Sequence, residues 1–339
     1  MPLNSDTPII LAIETSCDDT AAAVIKNGKM LANIVSTQKI HEQYGGVIPE
    51  LAGRAHQQHI IPVVDNALKK AGIKPEQIDA IAYTQGPGLV GSLLVGSQFA
   101  KGLSLALNKP TIGVHHLQAH IAAHYLNENP PTFPFLCLLV SGGHTQIVLV
   151  KDHLDMTILG STIDDAAGEA FDKAAKMLGL PYPGGPLIDE YAETGDPKAY
   201  TFPIARLSGY DYSFSGLKTS ILYFLQKQTT LDSDFIKNNL ANICASIRYT
   251  IVKTLLSNLE RAANDLQIKS IGIAGGVSAN RLLRNELELL GHKMNIATFI
   301  PAFEYCTDNA GMIAIAGHYQ YLKGQFAKID DVPFARGDF

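Results

Sequence analysis

The sequence predicts an α/β protein in which one plan is used twice. Three observations predict it. Hydrophobic periodicity gives the element order β-β-β-α-β-α-β-α over residues 9–127, and the same order recurs over residues 135–321 with an insertion after the first helix. Each half opens on two strands joined by a short turn, Cys17-Asp18-Asp19 in the first and Ser141-Gly142-Gly143 in the second. In each half the later strands are reached through helices, so they run parallel to the first, whereas the opening meander is antiparallel.

In the first half, residues 9–14 form a short apolar strand and residues 20–26 the second. Asn27-Gly28 is a two-residue hairpin signal, so residues 29–37 return as the third. Gly45-Gly46-Val47-Ile48-Pro49 is a loop, and residues 50–70 carry a helical period. Residues 80–84 read as a buried strand ended by Gln85-Gly86-Pro87-Gly88; a helix over 89–107, a strand over 111–114 and a helix over 115–127 follow.

In the second half, the apolar run 135–140 and the β-branched run 145–150 flank Ser141-Gly142-Gly143-His144. A hairpin there uses glycine for positive φ. Successive N–H groups at such a turn also make an anion-binding concavity, and the missing Cβ lets a phosphate come close. A strand over 156–160, a helix over 165–178, an irregular Pro- and Gly-rich section over 179–216 and helical segments over 217–266 come next. Residues 270–274 are a buried strand, Gly275-Gly276-Val277 a turn, and residues 279–290 a helix with Ser278 as N-cap. Residues 295–300 form a strand, 308–321 a helix, and 323–339 an extended surface tail.

The predicted lobes are residues 1–130, completed by a C-terminal helix at 308–325, and residues 131–307 with a helical insertion at about 179–266; residues 326–339 are the tail. Two such lobes facing each other across a cleft are the layout of the actin, Hsp70 and sugar-kinase superfold. There, facing hairpins hold a nucleotide's phosphates and a glycine turn after a late strand holds the adenosine. Ala274-Gly275-Gly276 is that turn here.

With 339 residues, 46% hydrophobic and 17% charged, the chain can bury two sizeable cores. No apolar run of membrane-spanning length is read. Met1-Pro2-Leu3-Asn4-Ser5-Asp6 lacks the basic and apolar regions of a signal peptide. The expectation is a cytosolic protein without membrane contact. Cys17, Cys137, Cys244 and Cys306 are scattered with no C-x-x-C pair, against both a zinc ribbon and a disulfide framework. A net charge of −5 lacks the basic footprint of a dedicated nucleic-acid binder.

His116 and His120 are four apart on one helix face, so both can reach one ion, and His124 continues that face. Alone, the pair also reads as exposed or capping histidines. The duplication adds a third group: the matching helix of the second half opens at Cys306-Thr307-Asp308-Asn309, and pseudo-symmetry puts Asp308 across the cleft from the histidines. Two histidines and a carboxylate leave open positions suited to iron, zinc or manganese. A zinc-peptidase H-E-x-x-H needs Glu after the first histidine; Leu117 stands there, which disfavours peptide hydrolysis.

Several stretches together resemble one family. They are Glu14-Thr15-Ser16-Cys17-Asp18-Asp19-Thr20, Gly86-Pro87-Gly88, Gly113-Val114-His115-His116 through His120, and Leu139-Val140-Ser141-Gly142-Gly143-His144-Thr145. Also included are residues 164–173, Tyr182-Pro183-Gly184-Gly185-Pro186, residues 213–219, residues 274–281 and Cys306-Thr307-Asp308-Asn309. The chain resembles the TsaD family of bacterial tRNA threonylcarbamoyl transferases over residues 9–324. The resemblance implies transfer of a threonylcarbamoyl group from threonylcarbamoyl-AMP to N6 of the adenosine 3′ of the anticodon, in tRNAs reading codons that begin with A. It implies one divalent metal, Fe(II) or else zinc, on His116, His120 and Asp308. It implies substrate binding by Leu139, Val140, Ser141, Gly142 and Gly143, and by Asp172, Gly185, Asp189 and Asn280. Implied partners are a metal-free paralogue, a small ATPase and an enzyme that makes the adenylate.

On the residues themselves, an Asp172 carboxylate facing the cleft can accept from ribose hydroxyls or stand as a solvated helix acid. Gly185 allows close backbone approach or is a turn glycine, and Asn280 can reach a base or ribose or satisfy local backbone. Asp18 is a candidate base for the N6 proton and equally a turn former. Rival readings are a small-molecule kinase of the superfold and a non-catalytic nucleotide-binding scaffold; the histidine pair argues against both. Small residues in 89–107 suggest that a face of that helix, or of 50–70, pairs with the paralogue. Cations available for tRNA phosphates are Arg281 with Arg284, Lys218, Arg206, and Arg54 with His56 and His59.

Overall fold

The computed structural model describes residues 7–337; the N-terminal hexapeptide read for a leader and the last two residues of the tail lie outside that range. Contacts divide the chain into two units. The first comprises Met1–Pro130, Lys151–Met156 and Pro301–Phe339; the second comprises Pro131–Val150 and Thr157–Ile300. The chain therefore changes unit at Ile300–Pro301, seven residues before the expected boundary, and Lys151–Met156 joins the first unit.

The first unit begins with β1 (Ile9–Glu14), β2 (Asp19–Lys26) and β3 (Lys29–Thr37). Asn27 and Gly28 between β2 and β3 have φ of 47° and 75°, the left-handed pair that a two-residue hairpin requires. Then come α1 (Pro49–Ala71), β4 (Ala80–Gly86), α2 (Val90–Leu107), β5 (Thr111–His115) and α3 (His116–Ala122). The sheet order is β3-β2-β1-β4-β5. β1 is antiparallel to β2, with Ile9 opposite Lys26, and parallel to β4, with Ile10 opposite Ala80. β1 is central and all six of its residues are buried, which is why it reads as a continuous apolar run rather than an alternating one. Each large side chain buried there is worth about 1.5–3 kcal/mol.

α2 is long and apolar enough to cross a membrane by length and composition, with a mean hydropathy of 1.3, contrary to the expectation that no such stretch exists. It packs on β4 and α1, and its Ser92, Ser97 and Lys101 are buried. One face of the helix therefore lies on the sheet and against α1, while Leu94 and Leu105 are exposed.

The second unit comprises β6 (Phe135–Val140), β7 (Thr145–Asp152), β8 (Asp155–Ser161), α4 (Ala167–Met177), α5 (Gly184–Tyr191), α6 (Ser215–Leu231), α7 (Phe235–Asp265), β9 (Ser270–Ala274), α8 (Arg281–Met294) and β10 (Ala297–Phe299). The order β10-β9-β6-β7-β8 is that of the first sheet, strand for strand. β6 is antiparallel to β7, with Val140 opposite Thr145, and parallel to β9, with Leu136 opposite Ile271. The core runs from β6 and β7 through α4 and α7 to α8. α5 falls inside the section expected to be irregular. The expected N-cap Ser278 is instead buried in a short 3-10 turn, and Asn280 caps α8 by accepting the Leu283 N–H at 3.0 Å.

The chain returns to the first unit as α9 (Ala310–Leu322), which packs on β1, β2 and β5. The segment after it is not a free tail. Ala327 bridges to Thr111, the Phe334 N–H donates to the Gln85 carbonyl at 3.1 Å, and the Phe334 ring lies 5.7 Å from that of His115. All four cysteines are free thiols.

A Cβ on Gly317 of α9 would lie 2.8 Å from Ala82 Cβ, so helix and strand touch through backbone and methyl alone. Gly317→Val is therefore expected to overpack this seam and cost about 1–3 kcal/mol. The urea midpoint reads it; an unchanged midpoint would mean that the helix is free to lift.

Candidate active site

The first unit gathers three side chains that could hold a metal ion at the C-terminal edge of its sheet. β5 runs directly into α3, so His116 stands at the strand's end and His120 one turn on. Asn309 caps α9 by accepting the Met312 N–H, which fixes Asp308 just before the helix. Asp308 Oδ1 lies 3.2 Å from His120 Nε2 and 3.6 Å from His116 Nε2. One ligand atom from each residue falls within 4.8 Å of the others. Asp308 thus belongs to the same unit as the histidines rather than to the other half, because α9 packs on the first sheet. His124 lies on the 3-10 turn after α3 and is outside the cluster.

The donor set fits a divalent cation. Two carboxylates, Asp308 and the fully buried Glu14, meet here, and among the described residues their ion-pair partners are histidines, not Lys or Arg. Burial opposes charge on His116, but Asp308 and Glu14 outweigh it and hold its pKa at about 9. Burial would raise Asp308, yet His116 and His120 hold it well below the usual carboxylate range. Burial, with Asp308 and Asp18 adding to it, pushes the Cys17 thiol far up in the metal-free chain.

The turn carrying Asp18 is held from beneath. The Cys17 carbonyl accepts from His56 Nε2 at 3.0 Å and from Ser92 Oγ at 3.1 Å, and the Asp18 carbonyl accepts the Gln38 N–H. His56 is fully buried, which removes it from the cations expected to meet phosphate. Asp19, next to Asp18, is strongly perturbed: burial pushes its pKa up to about 7, against a bond from Thr37.

In the second unit the Ser141–His144 turn is closed by the Ser141 N–H donating to the His144 carbonyl at 2.8 Å. Gly142 and Gly143 are exposed, neither has positive φ, and a Cβ on either would meet open space. The expectation that this turn needs left-handed glycine is corrected: what glycine leaves here is bare, approachable backbone. Leu139 and Val140 are fully buried strand residues, so their side chains belong to the core. The start of α4 abuts the turn, since the Gly168 N–H donates to the Ser141 carbonyl and a Cβ on Gly168 would lie 2.6 Å from that oxygen.

Asp172 Oδ1 accepts the N–H groups of Gly184 and Gly185, at 2.8 and 3.1 Å, and so caps α5. Burial raises its pKa despite these donors. Asp189, on α5, is buried and gripped by Arg248, whose guanidinium donates to Asp189 Oδ1 at 2.8 Å and to Glu193 at 2.6 Å. Asp189 Oδ2 accepts the Arg281 N–H at 3.3 Å, next to Asn280. Glu14, Asp19, Gly168 and Arg248 adjoin these groups; the first three lie in stretches that carried the resemblance but were given no role of their own, and Arg248 was not singled out. A charge inside an apolar strand or helix was the available signal for Glu14 and Arg248.

A family model described as TsaD, tRNA N6-adenosine threonylcarbamoyltransferase, matches residues 29–315. The chain belongs to the TsaD family. It is 59% identical over 321 residues, 94% of each chain, to the tRNA N6-adenosine threonylcarbamoyltransferase of Christiangramia forsetii. It is 56% identical to that of Porphyromonas gingivalis over 97% of this chain and 98% of that one. This makes the protein a transferase that modifies tRNA. Among solved structures it resembles T. kodakarensis HypF, with a TM-score of 0.64 and 14% identity, covering 96% of this chain and 49% of that one. It also resembles component A of the Acidaminococcus fermentans (R)-2-hydroxyglutaryl-CoA dehydratase, with a TM-score of 0.53 and 17% identity, over 93% and 98%. These likenesses bear on fold alone, and the fold is that of the superfold expected from element order.

Asp19 yields a pH test. In the metal-free folded chain its carboxyl keeps a proton to about pH 7, whereas its ordinary value is 3.8. Between these values the folded state binds more protons than the unfolded one, so stability falls as pH rises. Asp19→Asn removes that loss. Urea midpoints of the metal-free proteins should diverge in favour of the variant from pH 4 to 7; a constant difference would refute the assignment.

Proposed function

We propose that this chain transfers the threonylcarbamoyl group from threonylcarbamoyl-AMP to N6 of the adenosine 3′-adjacent to the anticodon, in tRNAs that read codons beginning with A. Its family membership across nearly the whole length carries the reading. In this reading His116, His120 and Asp308 hold one divalent ion, Fe(II) by resemblance, with zinc also compatible with the donors. Such an ion supplies Lewis-acid polarisation of the carbamoyl carbonyl.

The remaining roles fall to the chain's own groups. The bare backbone of Ser141, Gly142 and Gly143 receives the adenylate phosphate, with Leu139 and Val140 acting through backbone only. Asp172, Gly185, Asp189 and Asn280 receive the nucleoside, with Asp189 held rigid by Arg248. As N6 attacks, an N–C bond forms to the carbamoyl carbon, the C–O bond to AMP breaks, and the N6 proton leaves to a carboxylate. Asp18 is the proposed acceptor, and Asp19 beside it is the alternative. The partners are a metal-free paralogue, a small ATPase and the adenylate-forming enzyme, working in the cytoplasm. Ile61 of α1 and Leu94 and Leu105 of α2 are exposed on helices that pack side by side, and this face is proposed for the paralogue.

The test is reconstitution with partners, adenylate and unmodified tRNA, followed by mass spectrometry of the nucleosides. His116→Ala and Asp308→Ala should each lose bound metal and lower the rate by about a hundredfold or more, as expected when several kcal/mol of charge stabilisation disappear. Full metal content and rate in both variants would overturn the site.

The expected cations are largely engaged: Arg54 with Glu50, Lys218 with Asp165, and Arg281 with Asp189 and Glu193. The isolated chain should therefore bind tRNA weakly and with steep salt dependence, and the assembled complex more tightly. Filter binding against salt measures this; tight, salt-insensitive binding by the chain alone would contradict it.

A further inference from the structure

Glu14 ends β1 with no exposed surface. A buried carboxylate without a cation is costly unless its lone pairs are filled. Both oxygens of Glu14 are filled. Oε1 accepts the Ser16 N–H, and Oε2 accepts the Thr84 hydroxyl at 2.5 Å and lies 3.2 Å from His116 Nδ1. An ionised carboxylate can only accept, so the His116 nitrogen facing it must carry hydrogen. In a neutral imidazole that leaves the lone pair on Nε2, the nitrogen turned to Asp308 and His120.

We infer that Glu14 is the positioning residue that fixes His116 in its Nδ1–H form, so that Nε2 is the ligating atom. The inference rests on the metal reading above and adds to it a residue that never touches the ion. Glu14 also ties together groups from the ends of three adjacent strands: Ser16 after β1, Thr84 in β4 and His116 after β5. A purely structural tie could be made by any polar group of the same size; control of the tautomer needs an acceptor toward His116 Nδ1 at the same time as one toward the Ser16 N–H.

Glu14→Gln separates the two. Its amide must turn NH2 either toward the Ser16 N–H, where two donors clash, or toward His116 Nδ1. The second arrangement makes Nδ1 an acceptor and moves the proton to Nε2. Zn²⁺ affinity, measured by competition with a chelator, should fall about 10–100-fold while far-UV circular dichroism is unchanged. In the Zn²⁺-loaded wild type, long-range ¹H–¹⁵N spectra of labelled histidine should place the His116 proton on Nδ1.

Unchanged Zn²⁺ affinity in folded Glu14→Gln, or a proton on His116 Nε2 in the wild type, overturns the inference. If the variant does not fold, the wild-type spectrum decides alone. If His116→Ala and wild type bind Zn²⁺ equally, the metal reading itself has failed, and this inference with it.

Discussion

The close seat of α9 on the first sheet is the constraint from which the candidate site follows. At Gly317 the helix has no side chain to hold it away from Ala82, and its buried face is rich in Ala and Gly. A helix brought so near the sheet places its own first turn at the sheet's C-terminal edge. Asp308, the residue before the cap, is thereby set beside His116 and His120. The carboxylate that completes the cluster is positioned jointly by this close packing and by the Asn309 cap at the start of the helix.

Electrostatics then makes the cluster responsive. Glu14 and Asp308 bring two negative charges to one edge of the sheet, and in the metal-free chain a proton on His116 offsets part of them, which is why its pKa is held at about 9. A divalent ion would do the same work with more charge. It would have to displace that proton, so loading is coupled to proton release and weakens as pH falls.

Much of the fold was legible because each half announces itself through strands of unambiguous pattern: Ile-Ile-Leu-Ala-Ile in β1, and the Asn27-Gly28 hairpin. α5 was not legible, because Pro183-Gly184-Gly185-Pro186 has low helix propensity. The helix starts there because Asp172, distant in sequence, accepts the two amides that its first turn exposes. The spacing of His116 and His120 placed them on one face, and symmetry pointed to Asp308; it set that residue across from the histidines even though the helix it opens was expected to complete the first lobe, and the helix does pack on the first sheet. Asp19 was given no role of its own because its perturbation depends on burial, a property of the folded chain, whereas Glu14 and Arg248 left a signal in their apolar surroundings that was not used.

The first unit is not a continuous piece of chain. Its sheet is complete by Thr111–His115, yet the helix that covers it and the strap that ends on Phe334 come after the whole of the second unit. During synthesis, therefore, β1 to β5 must wait with one face uncovered while roughly half the polypeptide is still being made. His116 and His120 wait with them, lacking their carboxylate partner. All three groups of this cluster can come together only once α9 has been made, and a chain cut short before α9 would leave an apolar sheet face uncovered.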